Sequence, residues 1–368
     1  MKTGLVISSA FLAVAFAAHL AAQEQVNQGK PAPRAASQTI TLDTVVTDKS
    51  GAPVSGLEAA DFKLFDNKQP ETLLSVQPAN GMKVRADPPV EVIVLVDAVN
   101  SGFQTVSNDR QWMANFLKES GGELALPTSV AVLTDKGMTM VQDQPTRDGI
   151  ALVNLLDNSP SGLRGVTRSQ GFWGAVDRRR ISLQALGEIA VNAINKPGRK
   201  LLIWVGPGWP GFSRQSFQMT SKDSEGLFSS IVGLSTVLRE ARITLYSIDP
   251  AGAGSGQFYY EQFLKGVDSP KHIDYADLML QVLATQSGGQ VLFGSNDLAS
   301  LVDRCIADAR SYYVLTYETP AATHPNEYHK IEVQVDKPGL KARTRTGYYA
   351  QPTGSAENSA PKLPAEKP

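Results

Sequence analysis

The feature that most constrains this chain is a set of short, predominantly apolar runs separated by segments of helical periodicity. Residues 90–96 read VEVIVLV, and similar runs follow at 130–133, 201–205 and 243–248. Uninterrupted apolar runs of this length are typical of parallel strands that are buried on both faces of a sheet. Because helical patterns lie between them, the order of segments predicts a doubly wound, mostly parallel, Rossmann-type α/β sheet.

Helical patterns lie between and after these runs, within an α/β domain that is predicted to span residues 88–318. They lie at 109–118, 147–156, 181–194, 224–242, 275–286 and 296–309. A strand at 290–293 and a final strand at 312–317 complete the predicted domain.

The flanks of this domain have a different period. Residues 39–48 read TITLDTVVTD, in which apolar and polar residues alternate, and shorter runs of strand character follow at 62–66 and 72–76. Near the C-terminus, 332–335 and 341–348 enclose a Lys-Pro-Gly turn and indicate a hairpin. Short β units of this kind are marginally stable alone. The two flanks, 39–80 and 325–350, are therefore expected to pair into one small accessory β-domain, a β-sandwich into which the α/β domain is inserted.

The N-terminal segment of the chain indicates export. The apolar stretch LVISSAFLAVAFAA at 5–18 follows Lys2 and precedes small residues, which predicts a secretory signal peptide at 1–22 and a periplasmic or secreted mature protein. A retained membrane anchor is the alternative, but the run is shorter than the roughly 20 residues that a spanning helix needs. The polar segments 23–38 and 351–368 are expected to be a linker and a disordered tail.

Charge and cysteine content restrict the class of partner and the covalent chemistry. The 35 basic and 36 acidic side chains nearly cancel, so nothing steers the whole chain towards nucleic acid. Cys305 is the single cysteine, which excludes an intrachain disulfide, and its amphipathic surroundings predict a buried thiol.

Several blocks of sequence, in order, carry a family resemblance. They are TVVTDKSGAPVSGLEAADFKLFDNKQ, VEVIVLVDAVNS, RRRISLQALGEIAVNAINKPGRKLLIWVGPG and SYYVLTYE with the following YHKIEVQVDKPGLKARTRTGYYA. Together, over about residues 38–350, they resemble the von Willebrand factor A-related domain family described from acidobacteria. The resemblance implies a von Willebrand A-like α/β domain and leaves the partner open.

Domains similar to the von Willebrand A domain often bind a divalent cation where their strands end, through an Asp-x-Ser-x-Ser motif, a Thr and a further Asp. Asp97 and Ser101 match the first motif here, but Val99 replaces a ligand. Gly206 stands where the further Asp is expected, and Ser182 and Thr167 are the weaker candidates for the Thr position. The resemblance therefore implies a degenerate metal-ion-dependent adhesion site, with Mg²⁺ as its possible ion. The alternative is that Asp97 accepts backbone N–H groups of its own turn.

Two sets of side chains near the same edge predict contacts with a protein partner. The basic set, expected in a loop before a helix that starts near residue 181, is Arg164, Arg168, Arg178, Arg179 and Arg180. The aromatic set is Phe172, Trp173, Trp209 and Phe212. Arginine could engage an acidic partner by bidentate hydrogen bonds, and Trp and Arg often anchor interfaces. The alternatives are a solvated arginine loop and rings that pack beneath their own loops.

The expected function is an exported, non-catalytic protein-binding or adhesion module. His272, His324 and His329 lack metal-type spacing, and a nucleophile elbow and a P-loop are absent from the sequence. Two alternatives remain: a carboxylate-based or metal-dependent hydrolase that uses strand-end aspartates such as Asp97, Asp135 and Asp249, and an envelope scaffold without a ligand site.

Overall fold

The structure is a computed structural model that describes residues 38–83, 89–158, 171–209, 219–249, 257–295 and 297–352. Its strands are β1 (Thr39–Thr47), β2 (Phe62–Asp66), β3 (Gln69–Glu71), β4 (Leu73–Ala79), β5 (Val90–Asp97), β6 (Glu123–Thr134), β7 (Gly137–Met140), β8 (Thr146–Asp148), β9 (Arg199–Val205), β10 (Ile243–Asp249), β11 (Val291–Phe293), β12 (Tyr312–Glu318), β13 (Glu327–Val335), β14 (Lys341–Arg343) and β15 (Gly347–Ala350). Its α-helices are α1 (Phe103–Lys118), α2 (Gly149–Asn158), α3 (Gly171–Ile194), α4 (Ser221–Glu240), α5 (Leu280–Gln286) and α6 (Leu298–Ala307).

The central sheet is mostly parallel and has the strand order β11-β10-β9-β5-β6-β7, with β8 paired to β6. Its four inner pairings are parallel, whereas β7 and β8 pair with β6 in the antiparallel sense. Strands β5, β9 and β10 coincide with apolar runs in the sequence. The prediction of a mixed α/β fold with a mostly parallel central sheet is confirmed.

Helices cover both faces of this sheet. Along β5, the side chains of Val92, Val94 and Val96 lie in one core with residues of α1, α2 and α6. Ile93 and Leu95 point to the other face and lie in a second core with residues of α3, α4 and α5. Burial on both faces explains why the strand has no polar alternation.

Two antiparallel sheets form a β unit in which the N-terminal and C-terminal flanks meet. One has the order β14-β1-β12-β4 and the other β15-β13-β2-β3, so each sheet takes strands from both flanks. Ile40 and Leu42 of the first sheet share a core with Phe62, Leu64 and Ile331 of the second. The flanks therefore stabilise each other across the inserted α/β domain.

Strand β12 lies in the β unit, which corrects the assignment of residues 312–317 to the α/β domain. It pairs with β1 and β4. Its alternate side chains face different cores: Tyr312 and Val314 pack with the α/β domain, and Tyr313, Leu315 and Tyr317 pack in the β unit. A strand that is buried on both faces has the same apolar sequence signature whichever sheet it joins.

The expected C-terminal hairpin is also replaced by a different pairing. Strand β13 pairs with β2 and β15, whereas β14 pairs with β1 in the other sheet. The turn at Lys337-Pro338-Gly339 therefore carries the chain from one sheet to the other. Period-two patterning shows which face of a strand is buried, but it does not identify the neighbouring strand.

Some predictions concern parts of the chain outside the described ranges. The signal peptide, most of the linker and most of the C-terminal tail lie at residues 1–37 and 353–368. Among the helices that the structure does describe, none is long and apolar enough to cross a membrane.

Candidate functional site

The strand-end edge, where β5, β9 and β10 finish, is organised around Asp97. This last residue of β5 is wholly buried. Its Oδ1 accepts the backbone N–H groups of Val99 at 3.0 Å and Asn100 at 2.9 Å. Its Oδ2 accepts Asn100 Nδ2 at 2.8 Å and Trp204 Nε1 at 2.9 Å. With four N–H donors, the carboxylate anchors its own loop and the neighbouring strand β9.

The same network connects the β5 loop to α3. The amide of Asn100 donates to Ser182 Oγ at 2.9 Å, and Ser182 Oγ in turn donates to the Arg178 carbonyl at 2.9 Å. Ser182 was expected near the site as a possible ligand in a loop. The structure places it within α3, wholly buried, where it links the helix to Asn100.

Close packing explains the glycine after β9. Gly206 has a φ of 141°, and a Cβ at this position would lie 2.9 Å from Asp97 Cβ and 3.2 Å from Ser101 Oγ. A side chain would therefore collide with the β5 loop. Gly206 lets the two loops meet at a distance that an aspartate could not allow.

Asp109 is a buried carboxylate that the sequence analysis did not identify. It lies on α1, and neither of its carboxylate oxygens has a hydrogen-bond partner among the described residues. Burial, together with the charges of Asp249 and Asp97, raises the pKa of Asp109 to about 7. A signal was present: Asp109 follows Val106 by three residues and precedes Met113 by four, which places it on the buried face of the helix.

The donor set around Asp97 does not fit the divalent cation that the family resemblance implies. All four hydrogen bonds to its carboxylate would compete with a metal ion, and Val99 is a buried core residue without a ligand atom. Ser101 is buried at the same loop, and its Oγ has no hydrogen-bond partner in the part of the chain described. Over those same ranges, no three His, Cys, Asp or Glu side chains are grouped closely enough to hold a metal.

The arginine cluster lies within a helix, which corrects its expected position in a loop. Because α3 begins at Gly171, Arg178, Arg179 and Arg180 lie beyond its first turn and do not oppose its dipole at the N-terminus. Consecutive helical residues point about 100° apart. Arg179 is buried with its guanidinium 4.5 Å from the centre of the Tyr275 ring, whereas Arg180 is exposed. The three arginines therefore do not form one continuous patch.

The aromatic residues also separate into different environments. Trp209 is buried; its Nε1 donates to the Leu278 carbonyl at 2.6 Å and its ring packs edge-on against Trp204. Trp209 was expected to contact a partner, but it is a core residue because its ring packs among the buried side chains on one face of the central sheet. Trp173, in the first turn of α3, is 75% exposed. Arg164, Thr167, Arg168, Phe212 and the side chain of Phe172 lie outside the described structure.

The opposite, amino edge of the parallel sheet is covered by the β unit. Arg242, just before β10, pairs with Asp43 of β1, with Nε 3.2 Å from Oδ2. At the start of β9, the Arg199 guanidinium donates to the Asp308 carbonyl and lies 4.7 Å from the centre of the Tyr312 ring. The β unit thus occupies the amino edge, and the strand-end edge faces away from it.

No protein-family model matches the chain, and no curated protein is similar to it. Among solved structures, the human COPII-coat protein Sec24c is 11% identical over 72% of this chain and 44% of that chain, with a TM-score of 0.31. The PilB minor pilin from Streptococcus sanguinis is 11% identical over 60% of this chain and 62% of that chain, with a TM-score of 0.35. The pilus adhesin SpaC from Lactobacillus rhamnosus GG is 10% identical over 84% of this chain and 47% of that chain, with a TM-score of 0.34. The chain thus spans less than two thirds of each of these proteins, and TM-scores this low do not establish a shared fold.

Proposed function

We propose that this chain is an exported, non-catalytic protein-binding module, with a von Willebrand A-like α/β domain that meets its partner at the strand-end edge. The observation that carries the proposal is the exposure of Trp173 at this edge. It is the most exposed of the large hydrophobic side chains in the described structure. Exposure of a large apolar ring to water is unfavourable, and burying that ring against a partner would contribute to the free energy of binding.

Trp173 shares its helix face with charged residues suited to an interface. Asp177 and Arg180 follow it by four and seven residues and are both exposed, so the three side chains form one stripe along α3. We define Trp173, Asp177 and Arg180 as the α3 stripe. Arg180 gives the stripe a group that hydrogen-bonds a partner carboxylate in a bidentate manner.

The buried carboxylates favour binding over hydrolysis. Asp97 and Asp109 are both fully buried, and the oxygens of Asp97 already accept four hydrogen bonds. A hydrolytic acid or base must reach its substrate within hydrogen-bond distance. The same arrangement supports recognition that needs no divalent cation, because Asp97 acts as a structural anchor of the edge.

A pull-down from the native envelope tests this function. The wild-type chain, Trp173→Ser and the control Leu74→Ser serve as baits, with and without EDTA. Leu74 is a matched control because it is 59% exposed but lies on β4 of the β unit. We expect Trp173→Ser to lose at least tenfold of the captured partner, Leu74→Ser to retain it, and EDTA to have no effect.

Two results would contradict the proposal. Equal capture by wild type and Trp173→Ser would exclude the α3 stripe as the binding surface. Loss of capture in EDTA would show that recognition depends on a cation, contrary to the role assigned to Asp97.

A further inference from the structure

A second polar feature lies at the amino edge, away from the strand-end edge. There, a small pocket opens between β1, the end of α4 and the segment that follows β14. Three guanidinium groups, those of Arg239, Arg242 and Arg345, line it beside a single carboxylate, Asp43. We define these four residues as the arginine pocket.

The carboxylate of the pocket is already committed to one arginine. Both oxygens of Asp43 pair with Arg242, through Nε and Nη2. Arg239 has its ion pair with Glu240 at 3.3 Å, and the Glu240 side chain is 45% exposed. Asp43 therefore neutralises the charge of Arg242, one of the three arginines. Glu240, which pairs with Arg239, is partly exposed to solvent.

Arg345 is the unbalanced charge. The residue is only 8% exposed, yet its guanidinium makes no hydrogen bond or ion pair with any residue in the described ranges. Burial and the nearby charge of Arg239 lower the pKa of Arg345 to about 9, and the opposing charges of Asp43 and Tyr328 do not offset this shift. A buried guanidinium without a counter-charge is strongly unfavourable.

The backbone holds Arg345 in this position. The Thr346 N–H donates to the Gln286 carbonyl at 3.0 Å on one side of it. On the other side, Gly288 approaches so closely that a Cβ there would lie 2.7 Å from the Thr344 carbonyl carbon. The backbone on both sides of Arg345 is therefore held against α5 and the turn that follows it, and the Arg345 side chain lines the pocket from this fixed position.

We propose that the arginine pocket binds a small inorganic anion, chloride under physiological conditions, with Arg345 as the principal ligand and Arg239 as the second. The space in the pocket is at the lower limit for one water molecule, so a single-atom anion fits it more readily than sulfate or phosphate. The bound anion supplies the counter-charge that Asp43 cannot share, and it joins the β unit to the α/β domain.

Chloride NMR with matched variants tests the proposal. The ³⁵Cl linewidth and the Tm are measured while sodium chloride replaces sodium gluconate at constant ionic strength. The variants are Arg345→Met, which keeps the side-chain length without the charge, and Arg304→Met, an exposed arginine on α6. We expect excess ³⁵Cl linewidth and a chloride-dependent rise in Tm for wild type and Arg304→Met, and loss of both for Arg345→Met.

Two further measurements complete the test: the Tm without chloride and the linewidth of an Arg239 variant. In gluconate alone, Arg345→Met is expected to melt at or above the wild-type Tm, because the uncompensated charge is gone. Arg239→Met is expected to reduce the excess linewidth at least twofold. Equal excess linewidth in wild type, Arg345→Met and Arg304→Met would overturn the site, and displacement of chloride by equimolar sulfate would overturn the assigned size of the anion.

Discussion

Asp97 and Asp109 are both buried acids near the strand-end edge, but their surroundings differ. Burial raises the pKa of Asp97, whereas hydrogen bonds from Asn100, Trp204 and Val99 oppose that rise. Asp109 has no such hydrogen bonds in the described structure, so burial and nearby negative charge act on it unopposed. Hydrogen-bond donors thus let one carboxylate serve as an anchor, while the other is held partly protonated near neutral pH.

Replacement of Asp97 tests its role as an anchor. We expect Asp97→Asn to lower the free energy of unfolding by about 2–4 kcal/mol, because the NH2 group of asparagine places a donor where a carboxylate oxygen had accepted buried N–H groups. The measurement is urea unfolding. Asp135→Asn is the control, since Asp135 is exposed, and it should change stability by less than about 0.5 kcal/mol. A loss no larger than that of the control would show that the four hydrogen bonds add little to stability.

The raised pKa of Asp109 predicts that its contribution to stability decreases as the pH rises. Its folded-state pKa of about 7 lies above the ordinary value of 3.8, so the folded state holds a proton that the unfolded state releases. Stability from this group therefore falls as pH rises from about 4 to about 7. Asparagine does not titrate, so the Asp109→Asn variant lacks this loss. Its free energy of unfolding, relative to that of the wild type, should therefore rise by about 2–4 kcal/mol between pH 4 and pH 7. A difference that stays constant with pH, in denaturant unfolding from pH 4 to 8, would contradict the effect.

At the scale of single elements, α3 and β12 show how tertiary contacts change the meaning of a local pattern. Helix α3 begins ten residues before the apolar periodicity predicts, because its first turns carry exposed residues such as Trp173 and Arg180. Strand β12 is apolar from Tyr312 to Leu315 because its two faces meet two different cores. In both elements the structure depends on what packs against each face.

The two sheets of the β unit are joined by a buried polar cluster centred on Asp66 of β2. Its Oδ1 is 2.7 Å from His329 Nδ1, and its Oδ2 accepts the hydroxyl groups of Tyr317 and Tyr348 at 3.1 and 2.8 Å. Tyr317 belongs to β12 of one sheet, and the other residues belong to the second sheet. Burial alone lowers the pKa of His329, but the hydrogen bond and charge of Asp66 outweigh it and raise the pKa.

Asp66→Asn is therefore expected to destabilise the β unit by about 2–4 kcal/mol in urea unfolding. A raised histidine pKa adds stability below about pH 6.5 and loses it as pH rises through the folded-state value. The loss in the variant should thus be larger at pH 5 than at pH 9. The control is Asp336→Asn, whose exposed pair with Lys63 contributes at most about 1 kcal/mol. Equal losses at the two pH values would exclude a charged pair between His329 and Asp66.

At the scale of the whole molecule, the β unit completes the amino edge of the α/β domain. Asp308, just after α6, accepts the Tyr246 hydroxyl at 2.6 Å and pairs with Arg343 of β14 at 2.5 Å. Tyr312 and Val314 of β12 belong to the core on one face of the central sheet. The α/β domain therefore depends on strands that lie outside its own stretch of sequence.

A fragment of residues 89–310 tests this dependence. Without β12 and β14 it lacks part of its core and the partner of Asp308, so we expect its Tm to be roughly 10 °C below that of the full chain. Binding of a hydrophobic dye and loss of near-ultraviolet circular dichroism should accompany the change. If the fragment melted cooperatively at the Tm of the full chain, the two units would be independent.

The sequence by itself determined the features that depend on local periodicity. Predominantly apolar runs such as residues 90–96 indicated the parallel sheet, and alternating patterns indicated β-strands in both flanks. A period of two indicates that one face of a strand is buried, and a nearly continuous apolar run indicates that both faces are. The sequence also placed Asp97 and Ser101 together, since they belong to one loop. It did not show that Asp97 would be fully hydrogen-bonded, because one of the donors, Trp204, comes from another strand.

Only the tertiary structure decided which strands are neighbours and which side chains meet. It assigned β12 to the β unit, buried Trp209, and brought Arg345 to Arg239 and Asp43 from distant parts of the chain. These contacts follow from the pairing of whole elements, and local patterning does not encode the partner of a strand. The physical reason is that a residue's own period reports that it is buried, whereas the atoms it is buried against are supplied by other segments of the chain.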